Sequence, residues 1–297
     1  PDGLWAKLVA VFTLWEVLDR LGESNHHPAL YGYLRPLQLE RYVKIAMQDH
    51  VKVICETGFN GGHSAAAFLT ANPDAVLHSF DIGEWEHLSA AAKLINTTFP
   101  GRFHLHLGDS AKTLPELVAR HRFDPINNPP CDVMSVDGSH TEGGAFSDLR
   151  HFREIASCRH LVLADDVCDQ YDPQVSRRRA TYRSTDMQTQ EWRECTTYVQ
   201  GHHYGSSVAW RRALEQGFLR QITNYSYTKN QAQFSPPMRV YVRKETFLHL
   251  EPWGYAVGVF RNDCPPSSFF DSPEMQRATL DDAQPPLTVL EFRRAQE

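Results

Sequence analysis

Val53–Ser64 reads VICETGFNGGHS, and Ala65–Leu69 (AAAFL) continues it. A short apolar run ends in an acid, passes through a glycine-rich turn and enters a helical pattern. A buried strand feeding such a turn brings backbone N–H groups to a helix N-terminus, where they suit a carboxylate or a phosphate. The spacing separates the nucleotide-binding readings. A dinucleotide fold wants G-x-G-x-x-G and a phosphate loop wants G-x-x-x-x-G-K-[ST]. Here Gly58 is followed by Phe59, Asn60, Gly61, Gly62, His63 and Ser64, so neither pattern fits and E-x-G-x-x-x-G remains.

Outward from this turn, strand-like and helix-like segments alternate. Strands are predicted at Val51–Cys55, Val76–Asp81, Phe103–Leu107, Cys131–Val136 and His160–Asp165, with helices near Ser64–Thr70, Leu88–Thr97, Lys112–Arg120 and Gly143–Ile155. Apolar strands alternating with helices imply a mostly parallel, Rossmann-like α/β sheet covered on both faces, with ligands beyond the carboxyl ends of the strands. Ala29–Ala46 reads as a helix-rich lead-in. Cys168–Tyr204 is polar and irregular, as expected of a lid after the fifth strand. A helix at Ser206–Gln216 follows, with late strand candidates at Phe218–Tyr227, Arg239–Arg243 and Tyr255–Phe260, and the expected sheet has seven strands. The expected division is an N-terminal helical segment over 1–48, a ligand-binding domain over 49–262 with its lid at about 168–204, and a Pro-, Ser- and acid-rich extension over 263–297.

The chain has 297 residues, 41% hydrophobic and 22% charged, enough for a large core and unlike a disordered protein. A formal charge of −6 argues against a nucleic-acid partner. Leu4–Leu18 is apolar but interrupted by Lys7 and Glu16, and it falls short of the ~20 residues a membrane span needs. It reads as a packing or dimer-forming amphipathic helix, with the stub of a removed anchor or signal as the alternative. Six cysteines, at 55, 131, 158, 168, 195 and 264, form no C-x-x-C pair. Cys55, Cys131 and Cys158 lie in or beside predicted strands and are expected to be core thiols, which favours a reducing compartment and hence a cytoplasmic protein. N-x-[ST] triplets at Asn96 and Asn224 arise readily by chance.

Each predicted strand ends in polar chemistry. The first ends at Glu56 and the second at Asp81, where a carboxylate can accept hydrogen bonds from two ribose hydroxyls. The third ends Gly108-Asp109-Ser110, also an N-cap for the following helix. The fourth ends Asp137-Gly138-Ser139-His140 and the fifth Asp165-Asp166. Three acids at one sheet edge repel each other, and a hard divalent cation such as Mg²⁺ resolves the conflict. His140 has the context of a general base. His63 is expected to face cofactor or solvent. The adjacent His202-His203 would point opposite ways on a strand, so neither is assigned a ligand role. Arg177–Arg179 reads as an exposed charge run, and Tyr171, Tyr182, Trp192, Tyr198 and Tyr204 as lid packing or ring-stacking groups.

The E-x-G-x-x-x-G stretch resembles the cofactor loop of class I S-adenosylmethionine (SAM) methyltransferases. Asp137–His140 within VDGSH, followed by LVLADDV, resembles the metal site of cation-dependent O-methyltransferases, and the Asp-to-His spacing sides with the macrocin-type sugar enzymes over the catechol type, which have Lys at that place. The resemblance spans about 37–167, with a weaker echo at Ala209-Trp210 and Tyr255–Phe260. It implies that Glu56 lies close to the methionine ammonium, that Gly58 and Gly62 admit the amino-acid part of SAM, and that Asn60 and Ser64 meet its carboxylate. It further implies that Asp109 and Ser110 border the adenine, that Asp137, Asp165 and Asp166 hold the cation, and that His140, with Asp137, is catalytic. The activity implied is methyl transfer to a hydroxyl of a small molecule, a sugar, phenol or natural product, by a possible homodimer. A metal enzyme of other chemistry on this scaffold, or a decayed SAM-binding protein, are the rival readings.

Overall fold

The computed structural model describes residues 2–24, 34, 36–167, 204–226 and 254–261. The predicted lid (apart from Tyr204), Arg177–Arg179, His202-His203, the strand at Arg239–Arg243 and the C-terminal extension lie outside them.

Helix α1 (Asp2–Ser24) and α2 (Pro36–Ala46) precede strand β1 (Val53–Thr57). There follow α3 (His63–Ala71), β2 (Val76–Asp81), α4 (Leu88–Thr98), β3 (Phe103–Leu107), α5 (Ser110–Phe123), β4 (Cys131–Val136), α6 (Glu142–Ile155) and β5 (Ala156–Val167). Helix α7 (Tyr204–Glu215), β6 (Leu219–Ser226) and β7 (Gly254–Phe260) close the described chain. The seven strands lie in the order β3-β2-β1-β4-β5-β7-β6. Strands β1 to β5 pair in parallel, whereas β7 runs antiparallel to both β5 and β6. The chain thus steps outward from β1 to β3, then returns to β4 on the other side of β1. The switch point lies at the ends of β1 and β4, where such folds place ligands.

Alternate strand residues serve two cores. Ile54, Leu77, Val133 and Leu163 face α1 to α4, while Cys55, Met134, Val136 and Val162 face α5 to α7. This explains why β1 is apolar without alternation: both of its faces are buried. Helix α1 turns Leu8, Val11, Phe12, Trp15 and Leu18 onto the first core, so its apolar stripe is used within the chain. Among the described residues no helix is long and apolar enough to cross a membrane.

Polar ties fix the frame. The Asp132 carboxylate accepts the backbone N–H groups of Lys52 and Val53, aligning the start of β1 with β4. His160 is buried and its Nε2 accepts the Phe260 N–H at 2.8 Å, tying β5 to β7.

The cysteines depart from expectation. Cys55 in β1 and Cys131 in β4 form a disulfide, S–S 2.00 Å, and Cys158 is also disulfide-bonded. Among the described residues no cysteine is a free thiol. The partners are 76 residues apart in sequence, and only the β1–β4 pairing brings them together. The core-thiol reading is therefore wrong, and the support it lent to a reducing compartment goes with it.

Candidate functional site

The turn after β1 is built from unusual backbone. Gly58 has φ 90°, Asn60 φ 44° and Gly62 φ 79°. Gly58 is required by the protein itself, since a Cβ there would collide with the backbone carbonyl of Asp137 at the end of β4. The turn and the β4 end are thereby pressed together. Gly62 sits just before α3, so the first peptide groups of that helix open toward the strand ends.

Glu56 is almost fully buried. Burial is the chief cause that pushes its carboxyl up to about 7, against hydrogen bonds from Ser64 and Ser79 that pull it down. Ser79 Oγ donates to Glu56 Oε1 at 2.8 Å. Ser64 is thus directed at Glu56 as well as placed at the helix start. Asp81, 8% exposed, accepts the Asn60 N–H on Oδ2 and the Gly83 N–H on Oδ1, both at 2.8 Å. Each oxygen keeps a lone pair for a ligand hydroxyl. Next to it Ile82 and Leu107 are each 60% exposed, an apolar wall at the ends of β2 and β3.

The Asn60 side chain is held by His87, Nε2 to Oδ1 at 2.8 Å. Asp109 is the N-cap of α5 and accepts the Ala111 N–H, so the capping role expected of this pair is Asp109's. Ser110 turns inward, donating to Asp148 Oδ1 at 2.7 Å. His63 is 4% exposed and does not face solvent: its Nε2 lies 2.9 Å from Asp19 Oδ1 of α1.

At the ends of β4 and β5, Asp137, His140 and Asp166 come together. One ligand atom from each lies within 4.8 Å of the others. His140 Nε2 is 3.5 Å from Asp137 Oδ1 and 3.4 Å from Asp166 Oδ2. Asp166 has φ 55°, a left-handed residue where the strand ends, and this aims it at His140. Asp165 stands differently. Its Oδ1 accepts the Asp166 N–H at 2.9 Å, and its charge acts on buried Tyr42, whose hydroxyl is raised first by burial and then by Asp165. Burial alone would lower His140, but the hydrogen bond to Asp137 and the charges of Asp166, Asp137 and Asp165 outweigh it and hold the imidazole at about 9.

Helix α7 supplies parts that the strand-end reading overlooked. Gly205 N–H donates to His140 O at 3.1 Å, and Ser207 Oγ donates to Asp166 O at 3.3 Å. A Cβ on Gly205 would strike the backbone at His140 and Glu142. The small run Gly205-Ser206-Ser207 was the available signal, since only small residues let a helix start approach the His140 loop this closely.

The arrangement is a glycine turn with a buried acid, a dihydroxyl-ready carboxylate beside an apolar wall, and a two-carboxylate, one-imidazole cluster two strands away. The carboxylate oxygens of Asp137 and Asp166, with the His140 imidazole beside them, suit a hard divalent ion, so these residues fit such an ion.

Residues 55–167 match the family model described as a methyltransferase domain. No curated protein sequence matches the chain. Among solved structures, the O-methyltransferase TomG from Streptomyces achromogenes in complex with SAM is similar at 15% identity and TM-score 0.53, covering 84% of this chain and 90% of that one. SAH-bound methyltransferase PaMTH1 of Podospora anserina is similar at 15% identity and TM-score 0.53, covering 85% and 88%. An O-methyltransferase from Bacillus cereus in complex with SAH is similar at 10% identity and TM-score 0.53, covering 84% and 91%. At these identities the likeness is one of fold.

Proposed function

We propose that this chain, whose residues 55–167 form a class I methyltransferase domain, is a SAM-dependent O-methyltransferase that uses a divalent cation and acts on a small hydroxylated molecule. The observation that carries the cation and the base is the Asp137–His140–Asp166 cluster, beside the turn that would hold SAM. The O-methyltransferase TomG in complex with SAM and the Bacillus cereus O-methyltransferase in complex with SAH support oxygen as the acceptor.

SAM, when bound, brings a methyl group on a sulfonium sulfur, already activated toward an oxygen nucleophile. Glu56 and the turn at Gly58–Ser64 would hold its amino-acid end. Asp81 would hold the ribose, and Ile82 and Leu107 would flank the adenine, with Asp109 and Ser110 at its border. A divalent cation, Mg²⁺ being the expected ion, would lower the pKa of an acceptor hydroxyl and orient it. Asp137 and Asp166 would hold it, with His140 adjacent and Asp165 supporting Asp166 from behind.

His140 would take the acceptor proton at Nε2 as the new O–CH₃ bond forms and the S–CH₃ bond breaks, leaving S-adenosylhomocysteine. Its neutral form is favoured once the charge on the neighbouring carboxylates is compensated. The rest is positioning, which aligns acceptor oxygen, methyl carbon and sulfur. The disulfides at Cys55–Cys131 and Cys158 weigh toward an oxidising compartment.

Calorimetric titration of chelator-treated protein with SAM and S-adenosylhomocysteine, then with Mg²⁺, tests the reading. Micromolar nucleoside binding and a separate cation event are expected, followed by methyl transfer to a hydroxylated acceptor in a screen. Failure to bind either nucleoside would sink it.

A further inference from the structure

We infer that helix α1 is part of the cofactor-binding machinery, acting as a latch that sets the position of the glycine turn through His63. The inference rests on the SAM-binding reading above. His63 is the first residue of α3, directly after left-handed Gly62. Three contacts hold it, all from α1. Its Nε2 meets Asp19 Oδ1 at 2.9 Å, the Trp15 indole N–H donates to its carbonyl at 2.9 Å, and the Trp15 ring lies edge-on at 5.3 Å. His63 and Trp15 are buried, 4% and 5% exposed.

Elsewhere along α3 the buried side chains are apolar and carry little directional preference. Helix α3 presents Ala65, Ala66 and Ala67 next to its buried Phe68 and Leu69, and methyl groups give a close but smooth contact. Such a surface resists separation of the helices more than sliding along them. The directional contacts are at the N-terminal end of α3, one residue from the turn whose N–H groups would receive the SAM carboxylate. A small shift there moves the donors and Ser64, which also touches Glu56. Asp19 and Trp15 are therefore positioning residues: they touch His63, and His63 fixes the turn.

The test compares the full chain with Asp19→Ala, Asp19→Glu and Trp15→Phe. S-adenosylhomocysteine affinity is read by calorimetry, thermal unfolding by scanning calorimetry, and hydrogen exchange in the peptide covering 58–64. Asp19→Ala is expected to raise Kd by about ten-fold, the worth of one partly buried charge-assisted hydrogen bond. Exchange in the turn should rise with it, Asp19→Glu should recover part of the affinity, and in turnover the loss should fall on KM for SAM rather than on kcat. If Asp19→Ala does not fold, Trp15→Phe, which keeps a ring and loses the donor, carries the same expectation. A lowered melting temperature with unchanged Kd and unchanged exchange in the turn would overturn the latch and leave α1 a packing helix. A wild-type chain that binds no S-adenosylhomocysteine would overturn the SAM reading and the latch with it, so the two failures are distinguishable.

Discussion

Cys55 and Cys131 are covalently joined across β1 and β4; Glu56 directly follows Cys55, and Asp137 lies just past the other end of β4. The bond closes a loop containing β2 and β3, with 76 residues of separation. Loop-closure entropy assigns such a crosslink about 4 kcal/mol, and native disulfides typically contribute about 2–5 kcal/mol. The Cys55→Ser/Cys131→Ser protein should lose stability in that range. Urea unfolding of oxidised wild type and of the double variant measures it, and adding reductant should shift the former toward the latter.

Asp148 makes stability depend on pH in an unusual direction. Its carboxyl is buried, which pushes it up from 3.8 to about 6, and the hydrogen bond from Ser110 offsets only part of this. An acid raised on folding holds its proton more tightly in the folded state. Its contribution is full below the unfolded value near 3.8 and is lost as pH rises through about 6. His78 and His106, lowered chiefly by burial to about 3 and about 4, act oppositely, losing stability as pH falls. Asp148→Asn keeps the shape and the acceptor for Ser110 and leaves the histidines unchanged. Its stability relative to wild type should therefore grow between pH 4 and 6, by on the order of 3 kcal/mol. Chemical denaturation at several pH values reads the difference, and a constant gap would refute the cause.

The parallel strands were legible because each is a short apolar run buried on both faces; Val76–Asp81, Phe103–Leu107 and Cys131–Val136 form as read. Strand β5 begins at Ala156, earlier than its apolar run, because Ala156–Arg159 joins the sheet through pairing that no local pattern announces. The acids were legible as strand ends, and the gathering of Asp137 with His140 follows from a three-residue spacing. What sets Asp166 apart from Asp165 is one left-handed φ, which an Asp-Asp dipeptide does not reveal. The Cys55–Cys131 bond depends on β1 and β4 being neighbours in the sheet, and the burial of His63 depends on where α1 docks. Both are long-range facts. Neither leaves a periodic trace.

Gly58 couples the turn after β1 to the Asp137–His140–Asp166 cluster, so a methyl group there should damage both. Its φ of 90° disfavours any side chain, and the added Cβ would run into the Asp137 carbonyl. That obstacle is backbone at the end of a central strand, which cannot swing aside. Gly58→Ala is expected to cost about 3 kcal/mol or more. Thermal unfolding gives the loss. A variant as stable as wild type would mean that the turn and the β4 end are not in contact.

Asp166 and Asp165 are neighbours with different work. Asp166 reaches His140 and shares the cluster with Asp137, whereas Asp165 accepts the Asp166 backbone N–H and lies toward Tyr42. On the proposed assignment, removing Asp166 should weaken cation binding more than removing Asp165. Mn²⁺ is a convenient probe, because its electron paramagnetic resonance signal distinguishes bound from free ion. Asp166→Ala should raise the Mn²⁺ dissociation constant by well over about ten-fold, and Asp165→Ala by about ten-fold or less. S-adenosylhomocysteine binding should persist in both, since the Gly58–Ser64 turn, Glu56 and Asp81 are untouched. Equal losses from the two variants would put both acids on the ion. Weaker Mn²⁺ binding in Asp165→Ala than in Asp166→Ala would reverse the assignment and make Asp165 the ligand.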